Sequence, residues 1–156
     1  MIIRNAKESD FPRISELLQD IAKLHAKGRP EIFKPASQKY SLSEFKDMLK
    51  DPNHPVFVAQ SDNDDIVGYA FCELKDHPER SVAYERKCLY LDDLCVDERM
   101  RGKGVGRSLM DRLKKFAKEN GCFSIELNVW EFNENAIAFY EKYGMHTQRR
   151  QMELLL

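Results

Sequence analysis

Apolar residues recur at Phe11, Ile14, Leu17, Leu18, Ile21 and Leu24, and this three-and-four spacing predicts an amphipathic helix with one buried stripe. Glu8-Ser9-Asp10 offers helix-start chemistry before it, and Gly28-Arg29-Pro30 stops it. Ile2-Ile3-Arg4 reads as a short first strand. Residues Glu31 to Tyr40, with Phe33 and Pro35, read as a mixed loop. Ser41 followed by Glu44 forms a capping box and opens a short helix through Leu49.

Pro52, Asn53 and Pro55 then punctuate the chain. Val56 to Ala59 and Ile66 to Leu74 are apolar runs separated by a turn at Asn63-Asp64-Asp65, which predicts an antiparallel hairpin. After a polar loop from Asp76 to Arg80, Cys88 to Val96 reads as a longer strand interrupted by Asp92-Asp93. A third helix carries Val105, Leu109, Leu113, Phe116 and Ala117 on one face and ends at Asn120-Gly121. Cys122 to Val129 is expected as a strand, and Asn133 caps a helix that Gly144 closes. Met145 to Leu156 is expected to add a final strand or two. This order predicts an α/β (α+β) fold, a mixed and mostly antiparallel central sheet flanked by helices.

Length and composition narrow the class. The 156 residues suit one domain spanning 1–156, and 42% apolar with 33% charged residues describes a globular chain. A net charge of −1 gives no general reason to expect a nucleic-acid partner, and no apolar run approaches a membrane span. The N-terminus lacks the apolar core of a signal peptide, so a cytoplasmic location is expected. Cys72, Cys88, Cys95 and Cys122 form no C-x-x-C pair and are expected as reduced, mostly core thiols. His25, His54, His77 and His146 show no ligand spacing, so no metal is expected.

The charge is unevenly spread. Arg99-Met100-Arg101-Gly102-Lys103-Gly104-Val105-Gly106-Arg107-Ser108 gathers four cations and no acid around alternating glycines, just where a helix begins. Glycines let the backbone turn tightly, and the amides of a helix N-terminus attract anions, so this turn is built for a pyrophosphate. A Walker A loop would need Gly-Lys-Ser/Thr, which is absent. The dinucleotide fingerprint would need G-x-G-x-x-G, whereas the spacing here is G-x-G-x-G.

Leu91-Asp92-Asp93-Leu94-Cys95-Val96, followed by Asp97 and Arg99-x-x-Gly102-x-Gly104, resembles the acetyl-CoA-binding motif of the GNAT N-acetyltransferase superfamily. Asn133-x-x-Ala136-Ile137-x-Phe139-Tyr140-Glu141-Lys142-Tyr143-Gly144-Met145 resembles that superfamily's second motif, in the same order. The resemblance implies a GNAT-like acyl-CoA N-acyltransferase fold. It also implies an acetyl group moved from acetyl-CoA, as cosubstrate, to a primary amine by direct attack in a ternary complex. The acceptor could be a small-molecule amine, an amino acid or a protein amine. By the same resemblance, Leu94, Cys95 and Val96 would pair with the pantetheine arm through their backbone. Arg101, Gly102, Lys103, Gly104, Val105, Gly106, Arg107 and Ser108 would hold the pyrophosphate, and Asn133 would contact the cofactor or simply cap its helix. Many members pair as homodimers, and the apolar tail Met152 to Leu156 could serve that contact or form a core strand.

Acetyl transfer needs a neutral amine, a stabilised oxyanion and a proton for the departing thiolate. Tyr140 stands where many members of the superfamily carry a tyrosine beside the sulfur, and is the candidate donor. Asp92 and Asp93 interrupt an apolar strand, a costly position for carboxylates without a task. Adjacent strand residues face opposite sides unless a bulge intervenes, and parity groups Asp92 with Tyr90 and Leu94. Asp92 is therefore the preferred base, with Asp93, Glu73 or a water as alternatives. Acceptor recognition is expected from the first two helices, the His25–Tyr40 loop and the Asp76–Lys87 loop.

Overall fold

A computed structural model describes residues 1–34 and 38–156, so Pro35 lies outside the described residues. Five strands line up in sequence order: β1 (Ile2–Asn5), β2 (Val56–Gln60), β3 (Ile66–His77), β4 (Arg86–Val96) and β5 (Ser124–Glu126). The first four pair antiparallel, and β5 joins β4 in parallel. Helices α1 (Phe11–Gly28), α2 (Leu42–Lys50), α3 (Val105–Glu119) and α4 (Glu134–Tyr143) connect them.

Two apolar layers follow from strand alternation. Phe57, Ala70, Cys72, Leu89 and Leu91 pack with Leu109, Met110 and Leu113 of α3. Val58, Tyr69, Phe71 and Cys95 project from the sheet into a second cluster with Ile14, Leu17 and Leu18 of α1 and Phe45 of α2. Capping residues set the helix ends: Ser41 accepts from the Glu44 amide at 3.2 Å, and Gly144 leaves α4 with φ 105°. Cys72, Cys88 and Cys95 are buried free thiols, and Cys122 is half-buried. Among the described residues no helix is long and apolar enough to cross a membrane.

Several boundaries differ from the pattern-based expectation. β3 continues to His77 and β4 begins at Arg86, because cross-strand pairing extends through the polar residues Lys75–His77. β5 is confined to Ser124–Glu126, since only Cys88 to Tyr90 offer it partners. No strand forms over 145–156. Those residues join no ladder, Leu154, Leu155 and Leu156 remain exposed and Glu153 pairs with Arg29, so the tail is not a core strand.

The bulge in the β3–β4 ladder matters most. Phe71 pairs with Asp93 and Cys72 with Leu91, so Asp92 is the extra residue. A bulge sharpens local twist and bends the strand. The β4–β5 ladder ends at Tyr90, and among the described residues the edge from Leu91 to Val96 on that side has no strand partner. The sheet is thus closed at one end of β4 and open at the other.

Candidate active site

The bulge also decides where the two carboxylates point. With Asp92 looped out, the parity argument fails, and Asp92 and Asp93 meet on the same side of the sheet. Lys39 Nζ lies 2.9 Å from Asp92 Oδ2 and 3.0 Å from Asp93 Oδ2. Asp93 is enclosed, its side chain 7% exposed against 39% for Asp92. Tyr69 donates its hydroxyl to Asp93 Oδ1 at 3.4 Å, and the Tyr40 hydroxyl donates to Asp92 Oδ2.

Their environments push the acids apart. Burial raises the Asp93 carboxyl above its ordinary value, and the Lys39 charge and hydrogen bond only partly oppose it. Burial also acts upward on Asp92, but hydrogen bonds from Tyr40 and Lys39 outweigh it and hold Asp92 below the ordinary value. The same carboxylates outweigh burial at Lys39 and keep its ammonium protonated. Glu73 is drawn into an ion pair with Lys75 at 3.1 Å. A small recess of about 220 Å³ adjoins both Asp92 and Glu73, walled by Tyr40, Met48, His54 and Phe71.

Tyr140, on α4, packs against the α3-side core beside Phe139. Burial, then the nearby Asp93 charge and Cys72, raise its phenol well above its ordinary value, so it stays protonated. His25 of α1 also feels the Asp93 charge, while burial lowers its own pKa. Its ring stacks on Phe33 at 5.0 Å and meets the edge of Phe132 at 6.1 Å; Trp130 completes the wall, 5.3 Å from Phe33. A Cβ on Gly28 would sit 2.4 Å from the Phe132 ring, so only glycine lets the end of α1 approach this wall.

The glycine turn lies at the mouth of α3. Gly102 (φ 75°) and Gly104 (φ 84°) adopt left-handed conformations, and a Cβ at either would meet nothing within 4 Å. Their glycine identity therefore answers to backbone conformation and leaves the approach to the amides open. The first helical amide paired inside α3 belongs to Ser108, which donates to Gly104 O at 3.0 Å. Those of Val105, Gly106 and Arg107 precede it and carry the positive end of the helix. The Ser108 amide is thus spent within the helix, leaving its hydroxyl as the group it can offer. Val105 itself is a core side chain.

Gly106 brings the two motifs together: a Cβ there would lie 3.1 Å from Phe139 of α4. Arg101, Lys103 and Arg107 are exposed around the turn, and Arg101 Nε donates weakly to Val96 O at 3.4 Å. Arg99 belongs elsewhere. It and Arg13 pair with buried Asp97, 2.7 Å from Arg99, which anchors the end of β4. Asn133 serves as a cap, its Oδ1 accepting from the Ala136 amide at 3.3 Å.

Gly106 thus sets the turn against Val96 of β4 and Phe139 of α4, Tyr140 feels the Asp93 charge, and Asp92 and Asp93 share the Lys39 ammonium. Sequence reasoning assigned acceptor recognition to the His25–Tyr40 loop as a whole, which contains Lys39, and did not single out Tyr40, Trp130 or Phe132. A lone tryptophan two residues from Phe132, just before the Asn133 cap, was the available signal. The Asp76–Lys87 loop, reduced to 78–85, lies at the far end of the β3–β4 hairpin with Val82 and Tyr84 exposed.

Known proteins resemble this chain in fold and sequence. A solved tetramutant of the BH1408 protein from Bacillus halodurans superposes with a TM-score of 0.96 at 33% identity, covering 100% of each chain. The glucosamine 6-phosphate N-acetyltransferase of Trypanosoma brucei brucei is 34% identical over 65 residues, 42% of each chain. The spermine/spermidine N(1)-acetyltransferase of Bacillus subtilis is 33% identical over 81 residues, 51% of this chain and 52% of that enzyme. The chain therefore matches about half or less of the length of these two curated relatives. The sequence profile of the Acetyltransferase (GNAT) family matches residues 18–145, spanning both the carboxylate face and the glycine turn, and the chain belongs to that family.

Proposed function

We propose that this protein moves an acetyl group from acetyl-CoA to a small cationic primary amine, by direct attack within a ternary complex. One observation carries the acceptor class: the Lys39 ammonium, itself a primary amine, sits 2.9 and 3.0 Å from Asp92 and Asp93. An acceptor ammonium entering that seat would displace it. The aromatic wall of Phe33, Trp130 and Phe132 suits the same positive charge. Acetyl transfer to an amine by the Bacillus subtilis and Trypanosoma relatives supports the reading.

On the cofactor side, the amides from Gly102 to Arg107 suit the diphosphate of coenzyme A, with Arg101, Lys103 and Arg107 as cationic flanks. The edge of Leu94, Cys95 and Val96, which has no strand partner among the described residues, suits the pantetheine arm as an added strand. A β4 amide on that edge can donate to the developing oxyanion.

The chemistry then follows from the two acids and the phenol. An alkylammonium has a pKa of about 10.4, so it must lose a proton before attack. Asp93, enclosed and nearer Tyr140 in its electrostatic coupling, takes this role in preference to Asp92, which orients the acceptor with Tyr40. The amine nitrogen bonds to the thioester carbon and the carbon–sulfur bond breaks. Tyr140 gives its proton to the departing thiolate and is reprotonated by the proton that the attacking nitrogen sheds as the amide forms. Asn133, as a cap, holds the start of the helix that carries Tyr140.

A free-thiol assay with acetyl-CoA and a panel of amines tests the proposal. Thiol release is expected with di- and polyamines above amino acids, whose carboxylates Asp92 and Asp93 repel. Coenzyme A binding without release on any amine would overturn it in favour of a non-catalytic acyl-CoA sensor.

A further inference from the structure

The closed end of the sheet carries a second cluster of reactive side chains. His77 ends β3, Cys88 lies near the start of β4 and Glu126 ends β5. His77 is opposite Arg86, two residues before Cys88; Cys88 is opposite Ser124, and Tyr90 opposite Glu126. With a two-residue pleat, all three side chains share one face. His77 Nε2 lies 3.5 Å from Cys88 Sγ, and the ligand atoms of the three fall within 4.8 Å of one another. Cys88 is only 1% exposed. Ser124 Oγ donates to Glu126 Oε1 at 2.8 Å, which orients that carboxylate.

We propose that His77, Cys88 and Glu126 bind a zinc-class divalent cation that ties β3, β4 and β5 together. Imidazole nitrogen, thiolate and carboxylate are the donor mixture of zinc sites. Bond lengths of about 2.3 Å to sulfur and about 2.0–2.1 Å to nitrogen, at a tetrahedral angle, put those atoms about 3.5 Å apart. His77 and Cys88 already stand at that separation. Rotation of the Glu126 side chain closes the third bond, and a water takes the fourth position. Cys88 releases its thiol proton to solvent as the metal–sulfur bond forms. The thiolate favours zinc over magnesium or calcium.

The location gives the cation a task. β5 is held to β4 by three register pairs, just below the point where the strands part. A bridge across three strands would fix the root of the opening without touching the acetyl-transfer residues. The histidines have no ligand spacing along the chain, and the expectation of no metal rested on that. Strand pairing supplies the proximity.

The test uses untagged full-length protein titrated with Co²⁺, then Zn²⁺. One Co²⁺ per chain is expected, with a sulfur-to-cobalt charge-transfer band in the near ultraviolet that Zn²⁺ displaces. Zn²⁺ should also raise the melting temperature through preferential binding to the native state. Cys88→Ser should abolish the band. His77→Gln, at a half-buried position, carries the test if Cys88→Ser folds poorly, and should remove the Zn²⁺-dependent stabilisation. Ser124→Ala, which frees the carboxylate, should weaken affinity about 10–100-fold. Absence of saturable binding, a band that survives in Cys88→Ser, or unchanged stabilisation in His77→Gln would overturn the proposal.

Discussion

The two sides of the β4 opening are built from different parts of the chain. At the mouth of α3, the proposed recognition uses main-chain amides of consecutive residues with cationic flanks, and the glycines leave those amides open. Across β4, the proposed recognition uses side chains gathered from the loop before α2, β3 and β4. A backbone site depends on conformation and tolerates change in most side chains. A site made of side chains fails when one carboxyl or ammonium is removed.

The sharpest way to break this contrast is at Asp93. Asp93→Asn should lower kcat/KM by about 10²–10⁴-fold while leaving the Kd for coenzyme A unchanged, measured by steady-state kinetics and calorimetry. Asp92→Asn should act mainly on the acceptor KM. A larger turnover loss in the Asp92 variant would exchange the two roles.

Tyr140→Phe should reduce kcat by about 10²-fold, near the lower end expected for a proton donor, again with coenzyme A affinity intact. An undiminished rate would remove Tyr140 from the chemistry. On the opposite side, Gly104→Ala forces a Cβ into a left-handed conformation at φ 84°. The strain of about 1–2 kcal/mol should weaken coenzyme A binding by about 5–30-fold, with acceptor selectivity unchanged.

The smallest expected effect refines the acceptor side. Lys39→Ala removes the ammonium that competes for the seat, and the acceptor KM should fall about two- to fivefold, in the manner of a removed closed state. It also removes the cation that opposes the burial-driven rise at Asp93. The Asp93 pKa then rises further, and the carboxylate base is lost at a higher pH as solutions are acidified. The acid limb of the kcat/KM profile should therefore move to higher pH. A shift to lower pH would mean another group sets that limb.

Legibility followed the same division. The α3 turn was readable because its signal is local: alternating glycines, cations and a helix start lie within ten consecutive residues. The Ser41–Glu44 capping box and the amphipathic stripes were readable for the same reason. The carboxylates were visible as polar residues in an apolar strand, yet their direction was not. One looped-out residue reverses parity, and its position depends on how β4 pairs with Phe71 and Cys72 on β3. The seating of Lys39 against that face is a tertiary contact with no periodic trace. The exposed tail was misread as a strand because apolar composition says nothing about whether a free sheet edge is within reach.

The sequence by itself determined the helices, the principal hairpin, the glycine turn at the start of α3 and the family, since each is written in neighbouring residues or short motifs. Only the tertiary structure decided that both acids lie on one side of the sheet, that the Lys39 ammonium pairs with both, and that His77 meets Cys88 and Glu126. Those facts depend on strand register and twist, where a shift of a single residue moves a side chain to the other face of the sheet.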